Sequence, residues 1–319
     1  MANVSADHEG KSGARQWVQL SFAVVTTLAA ILAAICPAKA ATPITSCPTV
    51  ITVGGTAGSP ALYTLTQDLL CSGTDGIDIE ASYVKLNLNG HRITGGGSVP
   101  PGYGNGYGIF VYSNTSSPVL RLTGIVITGP SPGLSSIQGF TNGIELDDVD
   151  SSTVQNVVLS NNMYGLSTDL RDTVNNTVTG LKVLTDTATL NNQNGIALFN
   201  SSWSTVSGNI TTGNGSGSAN GGILIWGGSN NLVTLNNADG NTADGIDIYN
   251  SSKNSVNWNW ASGNIGAGIQ IFVTSNSNLV FFNSAEGNRN PDLEDNDTSC
   301  GSNNWFSNWF DIGNQTCIH

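Results

Sequence analysis

The sequence predicts an all-β protein, a parallel β-helix in which one chain coils into stacked turns, and three observations carry that prediction. A glycine–aliphatic–x–aliphatic phrase recurs through the middle of the chain, asparagines recur at fixed offsets from it, and the charged residues, 10% of the total, show no helical periodicity.

The phrase begins at Gly76, Gly108, Gly143, Gly165, Gly195, Gly222, Gly245 and Gly268, with spacings of 32, 35, 22, 30, 27, 23 and 23 residues. Eleven to thirteen residues after each of the last six glycines stands a valine: Val154, Val178, Val206, Val233, Val256 and Val280. Three residues beyond the last four valines come Asn209, Asn236, Asn259 and Asn283; eight beyond come Asn214, Asn241, Asn264 and Asn288, each preceded by glycine. Short period-2 strands parted by fixed Gly-Asn turns argue for β structure. A repeat this short cannot bury its apolar face alone, so neighbours must stack. A spacing of 23 residues is too small for a four-stranded propeller blade. Asparagines held at one phase then stack as ladders, with amides bonded from turn to turn.

At the start of the chain, Lys11 and Arg15 precede the apolar run "WVQLSFAVVTTLAAILAAIC", and "AKA" ends at Ala40. This reads as a secretory signal peptide over residues 1–40, with an uncleaved membrane anchor as the alternative. A chain beginning near Ala41 keeps seven basic and 20 acidic residues, a formal charge of −13. Such a surface repels nucleic acid and anionic membranes, so neither is expected as a partner. Cys47, Cys71, Cys300 and Cys317 form two sequence-local pairs, which in an exported chain implies disulfides 47–71 and 300–317. The expected plan is an N-terminal cap over 41–75, a solenoid over 76–290 and a C-terminal cap over 291–319. It describes a monomer that is secreted, periplasmic or at the cell surface.

The stretch "YTLTQDLLCSGTDGIDIEASYVKLNLNGHRITG" (Tyr63–Gly95) resembles the N-terminal region of secreted bacterial right-handed β-helix proteins. The later GI-x-[IL]…V-x-x-N…GN repeats and the ending "SCGSNNWFSNWFDIGNQTCI" are similar to the same group, the NosD-like and pectate-lyase-like β-helix superfamily. The resemblance implies a right-handed, single-stranded parallel β-helix with capped ends. It implies no particular reaction, because this fold hosts unrelated functions. In that frame Tyr63–Cys71 covers the first turn, Asp292–Cys317 covers the last, and Trp305, Phe306, Trp309 and Phe310 plug the final core. His91, in "LNGHRITG", reads as structural. Copper, suggested by the NosD likeness, lacks its usual soft and imidazole ligands, since only Met163, His91 and His319 remain after residue 40.

Counted from each repeat glycine, positions +1 and +3 should point inward and +2 and +4 outward, because successive strand residues alternate faces. The +4 column carries Phe199, Trp226, Tyr249 and Phe272 in four consecutive repeats. Rings stacked at strand spacing form a ladder whose natural ligand is a polysaccharide, unless a loop covers it or it merely stabilises the strands. Aligning "GIELDDVD" with "GLSTDLRD" superposes Asp147 on Asp169 and Asp150 on Asp172, with Glu145, Asp148 and Arg171 in the same patch. Asp147, Asp169, Asp172 and Arg171 are therefore the candidate catalytic residues. Glu145 and Asp247 join the four aromatics as candidate substrate contacts. Asp147 and Asp169, one turn apart, are a candidate calcium pair. This arrangement is similar in broad terms to β-helix polysaccharide lyases, where acidic residues, often with calcium, neutralise a uronate and Lys or Arg serves as base. Hydrolysis would instead need two carboxylates, and turn-capping aspartates would need no chemistry at all. The expected function is engagement of an extracellular or cell-wall polysaccharide, as a lyase or hydrolase. The alternative is a non-catalytic carbohydrate-binding, adhesive or structural surface protein.

Overall fold

The computed structural model describes residues 39–96, 106–113, 121–168, 178–215 and 221–319, and Ala41–His319 forms one compact unit. Among the described residues the regular structure is β-strand, apart from a 3₁₀ turn at Thr298–Cys300. The strands stack in register. One stack of eleven runs from Thr42–Ile44 to Asn304–Phe306, and one of ten runs from Thr49–Ile51 to Leu293–Asp295. A third, of six, runs from Leu69–Cys71 to Ile210–Thr212. Pairings within the stacks are parallel. Each turn of the chain gives one strand to each main stack, so the molecule is an all-β solenoid of about ten turns.

The repeat glycines are forced by this stacking. A Cβ on Gly245 would lie 2.6 Å from the Gly268 carbonyl oxygen and 2.8 Å from Asn264 Nδ2, too close for any side chain. The aliphatic residues that follow point inward. Ile144, Leu166, Ile196, Ile223, Ile246 and Ile269 pair in register down the ten-stranded sheet and lie in one continuous core. A second inward column, on the eleven-stranded sheet, runs Ile127, Val154, Val183, Val206, Val233, Val256, Val280 and Trp305. Val183 occupies the place that spacing assigns to Val178, which pairs instead with Ser201 in a four-stranded side stack. The cause is an insertion. The offset between neighbouring turns is 22 at Leu146↔Thr168 but 29 at Asp150↔Thr179, so seven extra residues enter after strand Tyr164–Thr168.

Three side-chain ladders lock the turns together. In the first, the backbone N–H of Asn209 donates to Asn236 Oδ1, that of Asn236 to Asn259 Oδ1 and that of Asn259 to Asn283 Oδ1, each at 3.0 Å. Each side-chain amide also donates back to a carbonyl of the preceding turn, as Asn236 Nδ2 does to Val206 O at 3.0 Å. The second ladder runs through Asn162, Asn191, Asn214, Asn241, Asn264 and Asn288. It ends on Asp292, whose Oδ1 accepts the Asn288 N–H at 3.0 Å and whose Oδ2 accepts the Asp311 and Ile312 amides at 2.9 Å. The third joins Asn231, Asn254, Asn278 and Asn303, and ends on Asp295. Buried amides satisfied in this way fix register as well as stability.

Both disulfides form, Cys47–Cys71 and Cys300–Cys317, with Cα separations of 5.6 and 6.2 Å. The N-terminal stretch expected as a cap already joins the stacks: Thr42–Ile44 pairs with Ala61–Leu65 and Thr49–Ile51 with Ile77–Ile79. At the other end Trp305 is 1% exposed, but Trp309 is 55% exposed and does not plug the core. Strand alternation explains part of this difference, since Trp305 points inward from Asn304–Phe306 while its neighbour Phe306 points out and stacks on Phe281 at 5.0 Å. Among the described residues no helix is long and apolar enough to cross a membrane. The leader expected over 1–40 lies, up to residue 38, outside them.

Candidate functional site

The outer face of the ten-stranded sheet carries the candidate residues. Its +2 column runs in register through Phe110, Glu145, Ser167, Ala197, Leu224, Asp247, Gln270 and Glu294. These side chains stand away from the core: Phe110, Ala197 and Leu224 are buried yet do not belong to the core cluster. The +2 side chains thus point outward, as strand alternation requires, yet pointing outward does not leave them exposed. Phe110 through Asp247 are buried, forming a floor between the residues that precede each repeat glycine and the +4 column. At one end Phe110 is sandwiched by Tyr107 and Tyr112, with centroids 4.3 and 4.2 Å away.

The +4 aromatics form a row along this floor. Centroids lie 6.0 Å apart for Phe199–Trp226, 4.4 Å for Trp226–Tyr249 and 5.0 Å for Tyr249–Phe272, with Tyr164 edge-on to Phe199 at 6.2 Å. Trp226 is 42% exposed, and the other three are half-buried. The row is open to solvent, because adjacent parallel strands put one ring per turn on the outer face in register.

Of the acidic patch, Glu145 and Asp147 are buried. Glu145 Oε2 accepts from Asn142 Nδ2 at 2.8 Å and from Ser167 Oγ. Asp150 is held by Arg121, Nε to Oδ2 at 2.6 Å and a terminal nitrogen to Oδ1 at 2.7 Å, and Asp148 lies 3.9 Å from the same guanidinium. The sequence reading passes over Arg121, which enters from the preceding turn through Thr123↔Asp150. Asp150 pairs on its other side with Thr179, not with Asp172, because of the seven-residue insertion. Asp169, Arg171 and Asp172 lie outside the described residues, and with them the second ligand of the expected calcium pair.

A second acidic group lies at the other end of the floor. Asp247 is 4% exposed and its Oδ1, though enclosed, has no hydrogen-bond partner among the described residues. Burial pushes its carboxyl well above the usual range, and the nearby charges of Asp244 and Glu294 push it further. Glu294 is raised by burial and by Asp244, against hydrogen bonds from Gln270 and Asn296. Asp244 is raised by burial, against the Ala267 N–H. Asn142 Oδ1 and both amide atoms of Asn194 are likewise buried without partners, and each of these residues immediately precedes a repeat glycine, as Asp244 does. Unsatisfied buried polar atoms are rare and call for a functional explanation. Glu294 escapes a search for the glycine phrase because Asp292 stands where its turn's glycine would be. Among the described residues no group of three His, Cys, Asp or Glu side chains is placed to hold a metal ion.

Residues 91–314 match the model of a family described as periplasmic copper-binding protein (NosD). No curated protein sequence matches the chain. Similar solved structures include the periplasmic alginate epimerase AlgG (TM-score 0.55, 16% identity, covering 74% of this chain and 62% of that one). A DFA-IIIase from Arthrobacter chlorophenolicus A6 is similar at TM-score 0.55 and 13% identity, covering 78% and 70%. The tailspike protein 2 of bacteriophage CBA120 is similar at 0.52 and 14%, covering 78% and 40%. At these identities the likeness is one of fold, and the chain spans about 62% of the length of the epimerase. The donors here do not fit copper. His91 Nδ1 lies 3.1 Å from Asp68 Oδ1, and the four described cysteines are consumed in disulfides. Among the described residues that leaves His319 and the thioether of Met163, short of the clustered imidazole and sulfur ligands copper needs.

Proposed function

The chain belongs to the NosD family, and from that premise and the geometry of the ten-stranded sheet we propose that it engages a polysaccharide along the outer face of its solenoid. One observation carries this reading: four aromatic rings in consecutive turns on the outer face, 4.4 to 6.0 Å apart, with Trp226 exposed and the other three half-buried. Sugar rings present flat C–H faces that pack on aromatic rings, and a linear polymer meets a linear row at several points at once. An exposed apolar row of this kind on a soluble protein marks something bound there. The periplasmic family and the two disulfides agree on an oxidising compartment outside the cytoplasm, where polysaccharides occur. The structural relatives, an alginate epimerase among them, lend support from the same fold. Cleavage of the bound polymer is the finer form of this reading.

Trp226→Ala tests it. The ring is 42% exposed, so its loss should leave thermal stability within the usual range for surface substitutions. As the central, most exposed ring of the row it should weaken glycan binding by about 2 kcal/mol, roughly thirtyfold. Affinity electrophoresis in gels containing soluble polysaccharides reads this directly. Equal retardation of the variant and the parent protein would refute the assignment.

A further inference from the structure

The polar floor beside the row holds more than a binding surface requires. Asp247 stands in register with Gln270 of the next turn, and Gln270 with Glu294 of the turn after that. Asp247 and Glu294 are thus two strand spacings apart, on the order of 9.6 Å between backbones. Inverting glycoside hydrolysis uses carboxyl groups about 6.5–9.5 Å apart with room for a water molecule, and side chains rising from backbones at this spacing on one face can lean into that range. Asp247 is buried with an unpartnered oxygen, and Tyr249, two residues on in the same strand, belongs to the aromatic row.

We propose that Asp247 and Glu294 are the acid and base of an inverting hydrolase for neutral polysaccharides, placed where the aromatic row delivers the chain. This rests on the reading of the row as a polysaccharide platform. Burial, with the charges of Asp244 and Glu294, favours the protonated form of Asp247. That proton passes to the glycosidic oxygen as the bond from it to the anomeric carbon breaks. A water adds to the anomeric carbon from the opposite face and gives its proton to Glu294, so one water is consumed per bond cleaved. Gln270 donates to Glu294 and orients it.

Charge selects the substrate class. Three columns border the site: the residues before the repeat glycines, the +2 floor and the +4 row. Among the described residues they contain Asp75, Asp78, Glu80, Glu145, Asp147, Asp244, Asp247 and Glu294, and neither Lys nor Arg. Among the described residues these columns offer a uronate polymer no counter-charge for its carboxylates, whereas an uncharged glycan meets no such repulsion.

The test uses the mature protein with mixed-linkage β-glucan, arabinoxylan, inulin and dextran as neutral probes, and alginate and polygalacturonate as anionic ones. Binding is measured by affinity electrophoresis, turnover by release of reducing ends, and product configuration by proton NMR of the first-formed anomer. The expected result is binding and slow cleavage of at least one neutral probe, with inversion. Asp247→Asn and Glu294→Gln should each lower turnover by about 10²–10⁴-fold while retaining binding. Both variants are near-isosteric, and retained binding shows that the face is folded; if one fails to fold, the other decides. Binding without turnover, turnover indifferent to both substitutions, or a retained configuration overturns the catalytic assignment and leaves the platform standing. Binding confined to the anionic probes overturns the substrate class. No binding to any probe overturns the platform, and the hydrolase with it.

Discussion

Replacing Asp186 by Asn should stabilise the protein by about 2–4 kcal/mol at pH 7 and by almost nothing near pH 4. Asp186 stands at the head of the first asparagine ladder. Its N–H donates to Asn209 Oδ1 at 2.9 Å, and its Oδ1 accepts the Val157 N–H at 2.7 Å, the same bonds that the asparagines make. The remaining oxygen occupies the place of their side-chain amides, each of which donates to a carbonyl of the preceding turn, and it has no partner among the described residues. Burial holds the carboxyl pKa up at about 8. In the unfolded chain the same group titrates near pH 3.9. Between the two values the folded state carries a proton that the unfolded state lacks, so stability falls as pH rises. The contribution is fully present below about pH 4 and is lost by the time pH has passed about 8. The neutral amide of Asn removes this dependence and supplies the missing donor. Thermal melts of both proteins from pH 4 to 8.5 should diverge steadily. A constant gap in melting temperature across that range would rule the explanation out.

That residue also shows where the sequence is legible and where it is not. The solenoid, its repeat glycines and two ladders follow from phase alone, because stacked turns of similar length put identical chemistry at identical offsets. The phase breaks wherever an insertion enters a turn. Counting from Gly165 places Val178 in the inward column, although Val183 occupies it. From Val183 the same offsets of three and eight reach Asp186 and Asn191, and both ladders extend by a turn. The third ladder lies two residues before the inward column, in a phase shared by Asn231, Asn254, Asn278 and Asn303.

The candidate site divides along similar lines. The aromatic row is written at one offset in turns of regular length, so it is readable and is found open to solvent. The Asp147 patch adjoins the insertion, where equal offsets would pair Asp150 with Asp172 although its partner is Thr179. The group around Asp247 is hidden for another reason. Its third carboxylate, Glu294, belongs to a turn in which Asp292 replaces the glycine and caps a ladder instead. The pentapeptide "DGIDI" occurs at Asp75–Ile79 and again at Asp244–Ile248, six repeats apart. In the second copy Asp247 is influenced by the charges of Asp244 and of Glu294, two turns on.

Trp305→Ala should cost about 3–5 kcal/mol, the range for removing a large aromatic from a packed interior. Trp305 is the last member of the inward column, 1% exposed, and its Nε1 donates to Asp295 Oδ2 at 2.8 Å. The same oxygen accepts Asn303 Nδ2 at 3.1 Å, and Asp295 Oδ1 accepts the Asp297 N–H at 3.0 Å. One ring thus fills the end of the core and anchors the carboxylate that terminates the third ladder. Its removal leaves a cavity and takes a donor from a buried anion. In a solenoid each turn contacts mainly its neighbours, so the damage should begin at the end and spread inward. Hydrogen exchange should therefore speed up first in Leu279–Phe281 and Leu293–Asp295, with Thr205–Ser207 and the turns before it protected. Opening the final turn also bares strand edges that can pair with another molecule, so the variant should self-associate at concentrations where the parent does not. Trp309→Ala is the control, since that ring is 55% exposed and its loss should change stability by no more than about 0.5 kcal/mol. Trp305→Phe should fall between the two, keeping most of the volume and losing the bond to Asp295. If the two alanine variants unfold at the same denaturant concentration, Trp305 does not close the core.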